Sequence, residues 1–160
     1  MNLLPGDILF FKEDQKSIAS RLVSWLERKF SESAGLPREQ LYTHVGMVST
    51  EPGLLIEMKW PEPKFSKLAE LNWPRIDVKR PNCDATTKIL AIRWCYLHIG
   101  YNYRWSDYLL GKLGLTYAKR VCSGWLNSAF MSAGYPIVDP KDHLPSPCDM
   151  AVSDKLTPVV

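Results

Sequence analysis

Two alternating stretches separated by a turn sequence constrain the fold of this chain more than any other feature. The first stretch runs from Tyr42 to Val48 and the second from Leu54 to Trp60. Alternation in the first stretch is typical of a strand with one buried face, and the second stretch has the composition of a returning strand. The intervening residues 49–53 include serine, threonine, proline and glycine, which favour a turn. The sequence therefore predicts a β-hairpin.

The hairpin brings a histidine and a carboxylate onto one face. Alternation predicts that Tyr42, His44 and Gly46 point the same way. A turn centred on Thr50 and Glu51 would set His44 directly opposite Glu57, and a slip of two residues would leave them diagonal neighbours. Either register lets the carboxylate orient the imidazole. The alternative is that Glu57 is an edge-strand residue on the solvent face.

Helical spacing of apolar residues elsewhere completes the predicted architecture. It predicts helices over Gln15–Phe30, Ala85–His98, Tyr108–Leu113 and Cys122–Ala133. Strands are predicted over Asp7–Phe11 and Arg75–Lys79. The rest of Pro61–Pro81 is predicted to be mostly loop with short extended pieces, and the proline-rich C-terminal tail to be irregular. These elements indicate an α+β fold in which a small antiparallel sheet packs against helices. At 160 residues, the chain is predicted to form a single domain, residues 1–160.

Cys122 opens the last of these predicted helices. Trp125, Ala129 and Ala133 would form one buried stripe, and Gly134 can end the helix in a left-handed conformation. A thiol in the first helical turn lies near free backbone N–H groups and the positive end of the helix dipole, which favour the thiolate. Cys122 is therefore a candidate nucleophile. The alternative is that it serves only as a small buried hydrophobic residue.

Composition and charge narrow the class of protein. The formal net charge is +3 with basic and acidic residues interspersed, which gives no indication of nucleic-acid binding. The N-terminus lacks a signal-peptide pattern, and the apolar stretches are too short to span a membrane, so a cytoplasmic location is predicted. The four cysteines are predicted to be free thiols. The sequence leaves the oligomeric state open.

The remaining histidines and cysteines do not predict a metal site. His98 lies at the end of a predicted helix, where histidine commonly interacts with the last carbonyl groups. His143 and Cys148 have no close Cys-x-x-Cys or His-x-x-x-His partner. We therefore expect neither a metal nor a cofactor. Among the tryptophans, Trp105 is the strongest candidate for contact with a substrate.

Five segments together resemble a known family. They are Leu4–Phe11, Thr43–Met47, Ile56–Met58, Gly100–Tyr103 and Val121–Ser123. In these segments the chain resembles the circularly permuted NlpC-type cysteine hydrolases of the papain-like superfamily, often described as YiiX/YebB-like. The resemblance extends over most of the chain, and the order histidine, polar residue, cysteine is that of the permuted branch. It implies a permuted papain-like fold.

The resemblance also implies a role for each matching residue. Cys122 corresponds to the nucleophile, His44 to the base and Glu57 to the residue that orients the base. Tyr103, the tyrosine of a Gly-x-x-Tyr motif, corresponds to a residue that helps to stabilise the oxyanion. The implied activity is hydrolysis of an amide, such as a peptide or isopeptide bond in a cell-wall fragment.

Two departures from the family pattern bear on the substrate. Arg104 stands where relatives commonly have an acidic residue, and Gly124 stands where many have an acidic or polar one. Arg104 and Trp105 are expected to line the substrate groove. Two alternatives to amide hydrolysis remain: a lipid or thioester acyl hydrolase or acyltransferase of the same fold, and a non-catalytic binding module.

Overall fold

The computed structural model describes residues 2–12, 21, 25, 41–59, 61–100, 102, 106, 121–139 and 145–160. Arg21 and Trp25 are helical, as the predicted helix Gln15–Phe30 requires at those two positions. The remainder of that helix and the predicted helix Tyr108–Leu113 lie outside the described residues.

Within the described residues, six strands form one antiparallel sheet. They are β1 (Ile8–Lys12), β2 (Tyr42–Val48), β3 (Leu54–Lys59), β4 (Glu62–Lys67), β5 (Ile76–Pro81) and β6 (Leu156–Pro158). Their spatial order is β4-β3-β2-β1-β5-β6, and every neighbouring pair is antiparallel. The predicted hairpin is β2 and β3, and it occupies the sheet interior because β1 and β4 pair along its outer sides.

Alternate residues of the strands enter two hydrophobic cores. In β1, Ile8 and Phe10 belong to one core, whereas Leu9 belongs to the other. The larger core also contains Trp125 and Phe130, so it joins the sheet to the helices. This is the α+β architecture that the sequence predicts.

Three α-helices lie entirely within the described residues: α1 (Ala85–Leu97), α2 (Cys122–Ser132) and α3 (Pro147–Ala151). α1 begins after Asp84, whose side chain accepts a hydrogen bond from the Thr87 N–H. Gly134 follows α2 at a φ of +79° and donates its N–H to Met131, which ends the helix as predicted.

Two regions differ from the sequence prediction. Most of Pro61–Pro81 was expected to be loop, yet β4 pairs with β3 over six residues, and Pro63 is compatible with this edge position. The tail was expected to be irregular, yet it contains α3 and β6. Ser146 and Asp149 form a capping box at α3, and Pro147 occupies the first helical turn, where a missing N–H costs nothing.

Candidate active site

The start of α2 sets the position of Cys122. Val121 is the N-cap residue, with an extended backbone, and its apolar side chain offers no capping hydrogen bond. The first helical hydrogen bond runs from the Trp125 N–H to the Val121 carbonyl at 2.8 Å. The N–H groups of Cys122 and Ser123 therefore precede the intrahelical ladder. Cys122 is buried, with 6% of its surface exposed.

The hairpin register determines how His44 meets Glu57. Met47 pairs with Ile56 and Val48 with Leu55. Continued along the strands, this register makes His44 and Glu57 diagonal neighbours, which is the second of the two predicted arrangements. His44 Nε2 lies 2.6 Å from Glu57 Oε2.

A β-bulge interrupts the pairing of β2 with β1 just before this histidine. Phe11 pairs with His44, but the next residue, Lys12, pairs with Tyr42. Thr43 is therefore the extra residue of the bulge. Bulges bend a strand and change the direction of its side chains.

The bulge corrects one prediction from the sequence. The Phe10 and Tyr42 rings lie 5.4 Å apart, whereas His44 lies 5.2 Å from the ring of Phe11. Because successive residues of β1 face opposite sides of the sheet, Tyr42 and His44 do not share a face. The predicted common orientation of Tyr42 and His44 is wrong because alternation fails at Thr43.

His44 also forms a side-chain hydrogen bond with Cys122, which joins β2 to the first residue of α2. Since Nε2 contacts Glu57, Nδ1 is the ring nitrogen left for the thiol. Burial lowers the pKa of His44, but hydrogen bonds and electrostatic attraction to Cys122 and Glu57 outweigh burial and raise it to about 9. The raised pKa makes the imidazole a stronger base toward the Cys122 thiol.

Glu57 is held as a carboxylate in a buried position. Only 3% of its side chain is exposed. Burial raises the pKa of Glu57, but the His44 hydrogen bond and positive charge, the Ser66 hydrogen bond and the charge of Lys59 together lower it to about 2. The Ser66 hydroxyl donates to Oε1 while Oε2 contacts His44. Sequence reasoning missed Ser66, because it lies in a segment expected to be loop.

Two polar atoms near Cys122 lack a partner among the described residues. They are the Ser123 hydroxyl and the Trp125 indole N–H, and both residues are almost fully buried. Buried polar atoms usually have hydrogen-bond partners, so each of these is available to another polar group.

The structure brings together three of the four residues expected to act in catalysis. Cys122, His44 and Glu57 form one hydrogen-bonded chain. Tyr103, Arg104 and Trp105 lie outside the described residues.

The other sequence candidates have local contacts. His98 Nδ1 lies 2.7 Å from the Trp94 carbonyl oxygen, as expected at a helix end. Cys148 contacts the Tyr42 backbone, with 3.3 Å from the Tyr42 nitrogen to Sγ. All four cysteines are free thiols, as predicted. His143 lies outside the described residues.

The fold defines a class of α+β proteins in which helices pack on a six-stranded antiparallel sheet. No protein-family model matches the chain, and no curated protein matches it. Among solved structures, it is similar to the crystal structure of the metalloprotein yiiX from Escherichia coli O157:H7, DUF1105. That likeness has a TM-score of 0.68 at 16% identity and covers 98% of this chain and 96% of that one. The chain therefore has a YiiX-like fold.

The description of that neighbour as a metalloprotein raises the question of a metal site in this chain. Within the described ranges, no three His, Cys, Asp or Glu residues lie close enough together to hold a metal ion. Both Glu57 oxygens are occupied by His44 and Ser66, so among the described residues of this site only the Cys122 sulfur and His44 Nδ1 remain as donors. Two donors fall short of the three or four protein ligands of zinc sites. The described residues therefore do not fit a metal.

None of the helices in the described part of the chain combines the length and apolar character needed to cross a membrane.

Proposed function

We propose that the protein is a thiol hydrolase with a circularly permuted papain-like arrangement, which cleaves an amide bond through an acyl-enzyme. The observation that supports it is the hydrogen-bonded chain from Cys122 through His44 to Glu57. The order of these residues along the sequence is the permuted one. The geometry matches the requirement that a nucleophile contact its base and that a third group orient that base.

In the first half of the reaction, the Cys122 thiol proton passes to His44 Nδ1 before the attack, because a His44 pKa of about 9 favours the imidazolium form at neutral pH. The sulfur then attacks the carbonyl carbon. The carbonyl π electrons move to oxygen, and the Cys122 N–H stabilises this oxyanion. Tyr103 is proposed as the second donor, by its resemblance to the family motif. When the tetrahedral intermediate collapses, the C–N bond breaks and His44 donates its proton to the leaving nitrogen.

Water completes the cycle by hydrolysing the thioester. His44 accepts a proton from water as the water oxygen attacks the acyl carbon. The C–S bond then breaks, and the departing sulfur regains a proton from His44. Glu57 orients the imidazole throughout and remains ionised, because its pKa is lowered to about 2.

Selective alkylation of Cys122 tests whether the thiol is activated. Burial raises the pKa of the Cys83 and Cys95 thiols, which slows their reaction. We expect iodoacetamide at neutral pH to label Cys122 at least about tenfold faster than the other thiols. Mass spectrometry of the labelled peptides measures this. Cys83→Ala is the control, and His44→Gln should slow the labelling of Cys122. Equal rates at all cysteines would favour the non-catalytic binding module.

A substrate panel tests the reaction itself. Peptides, isopeptide-linked cell-wall fragments and acyl esters are incubated with the wild type, Cys122→Ala and Cys83→Ala. We expect amide cleavage by the wild type and by Cys83→Ala, and its loss in Cys122→Ala. Arg104 and Trp105 are proposed to line the groove, so their alanine variants should raise KM. Cleavage that survives in Cys122→Ala would exclude the cysteine mechanism.

A second candidate is hydrolysis or transfer of a lipid or thioester acyl group. It is favoured by large aliphatic side chains on and just after α1 that are exposed to solvent: Ile89, Leu90, Leu97 and Ile99. Exposed apolar patches are typical of surfaces that bind other apolar molecules. The acyl esters of the panel distinguish this candidate, because turnover of esters without turnover of amides would support it.

A further inference from the structure

Ser66 and His44 contact Glu57 from opposite sides. Ser66 pairs with Leu55 and Glu57 pairs with Lys64, so Ser66 and Glu57 are diagonal neighbours across β3 and β4. His44 holds the equivalent diagonal position on β2. A row of hydrogen-bonded side chains thus crosses three adjacent strands, from His44 to Glu57 to Ser66.

Each of the two Glu57 carboxylate oxygens has its own hydrogen-bond partner. Oε2 contacts His44 Nε2 at 2.6 Å, and Oε1 accepts from the Ser66 hydroxyl. The terminal torsion angle of a glutamate side chain has a broad distribution, so one hydrogen bond alone would leave the carboxylate free to rotate. A second hydrogen bond removes that freedom. It also stabilises the charge of a carboxylate that is only 3% exposed to water.

Two sets of contacts fix the position of β4 near Ser66: its pairing with β3 and its packing against α1. It lies at the sheet edge and pairs with β3 over six residues. Phe65, the neighbour of Ser66, packs against Tyr96 of α1 with ring centroids 5.3 Å apart. The Tyr96 hydroxyl in turn contacts Ser49, the residue that follows β2. The position of Ser66 is therefore set by the sheet and by α1 together.

We propose that Ser66 is a positioning residue, whose hydroxyl fixes the Glu57 carboxylate so that its other oxygen holds His44 in line with Cys122. The inference rests on the proposed function and deepens it, because it adds a fourth side chain to the catalytic chain. Ser66 contacts neither Cys122 nor the substrate in this scheme; it acts through Glu57.

The test uses a matched pair of variants at this position. Ser66→Thr keeps the hydroxyl. Ser66→Val introduces a side chain with the shape of threonine but without its hydroxyl. Both new residues are β-branched and suit a strand. The first readout is the titration of the Glu57 carboxyl carbon by NMR. We expect the Glu57 pKa to rise by about one unit in Ser66→Val, because a hydrogen bond to the charged form is lost. Ser66→Thr should keep the wild-type value.

The second readout is steady-state kinetics. Ser66→Val should lower kcat by about tenfold with KM unchanged, and Ser66→Thr should restore it. Identical Glu57 titrations in the two variants, or a loss of kcat that Ser66→Thr shares, would overturn the inference. If the wild type cleaves no substrate, the proposed function fails, while the Glu57 titration still decides whether Ser66 holds the carboxylate.

Discussion

At the scale of single residues, His44 is defined by its two neighbours. Glu57 contacts Nε2, and Cys122 interacts with the same imidazole side chain. A carboxylate that accepts from Nε2 fixes the tautomer and orientation of the ring and leaves Nδ1 available to the thiol. The same two contacts raise the pKa of His44 to about 9 despite burial. The base strength of His44 is thus a property of its contacts.

Replacing Glu57 with glutamine tests this dependence. Glutamine keeps the shape of the side chain but removes its charge, so the pKa of His44 should fall from about 9 toward its ordinary value of 6.5. NMR titration of the imidazole measures the shift. The chain has three histidines, and the variants His98→Gln and His143→Gln together identify which signal belongs to His44. An unchanged midpoint in Glu57→Gln would show that the carboxylate does not control the imidazole.

At the scale of elements, β2 carries two features that position the histidine. Thr43 forms the bulge that separates the orientation of Tyr42 from that of His44. Two residues after His44, Gly46 allows close packing against β3. A Cβ atom at Gly46 would lie 2.9 Å from Leu55 Cδ2 and 3.2 Å from the Ile56 carbonyl oxygen. The glycine therefore lets β2 and β3 approach each other at the level of His44 and Glu57.

Adding a methyl group at Gly46 should disturb both the sheet and the site. We expect Gly46→Ala to lower the free energy of unfolding by about 1–3 kcal/mol, because the added atom overpacks the sheet. Urea denaturation measures the loss, and the pKa of His44 should fall if the strands separate.

Gly53→Ala is the matched control for this variant. It lies in the turn of the same hairpin at a φ of +75°, with no atom within 4 Å of an added Cβ. Its cost therefore comes from backbone strain alone, and it should leave the His44 titration unchanged. A wild-type unfolding free energy in Gly46→Ala would contradict the packing argument.

At the scale of the whole molecule, the sequence predicts what depends on local periodicity. The hairpin β2–β3 and the helices α1 and α2 follow from repeats of two and of about 3.6 residues. β4 could not be predicted in this way, because proline and lysines interrupt its pattern and its pairing with β3 creates the strand. β6 has only three residues and depends on β5. The Ser146 capping box was a readable signal for α3 within the proline-rich tail.

In the candidate site, too, contacts within one hairpin could be predicted, whereas contacts that depend on distant segments or on strand pairing could not be predicted from local patterns. His44 and Glu57 could be expected to meet because one hairpin carries both. The contact of His44 with Cys122 joins segments nearly 80 residues apart, so no local pattern predicts it. It was expected from the chemistry of a thiol paired with a base and from the family resemblance. Ser66 and the Thr43 bulge carry no sequence signal, since both arise from strand pairing. The single-domain organisation and the cytoplasmic location stay predictions.

The His44–Glu57 pair should also give the whole molecule a pH-dependent stability. The pKa of His44 is raised from 6.5 to about 9, so its contribution is complete below pH 6.5 and is lost as the pH rises through about 9. The pKa of Glu57 is lowered from 4.5 to about 2, so its contribution is complete above pH 4.5 and is lost as the pH falls through about 2. Both contributions are complete only between these limits, from pH 4.5 to 6.5.

The difference in unfolding free energy between the wild type and Glu57→Gln should therefore be largest at about pH 5.5 and smaller at about pH 10. Urea denaturation at both values measures it. The same comparison with Gly53→Ala is the control, because strain at a glycine involves no titrating group and its cost should not change with pH. If the Glu57→Gln difference is equally independent of pH, folding does not shift the pKa values of His44 and Glu57, and the prediction is wrong.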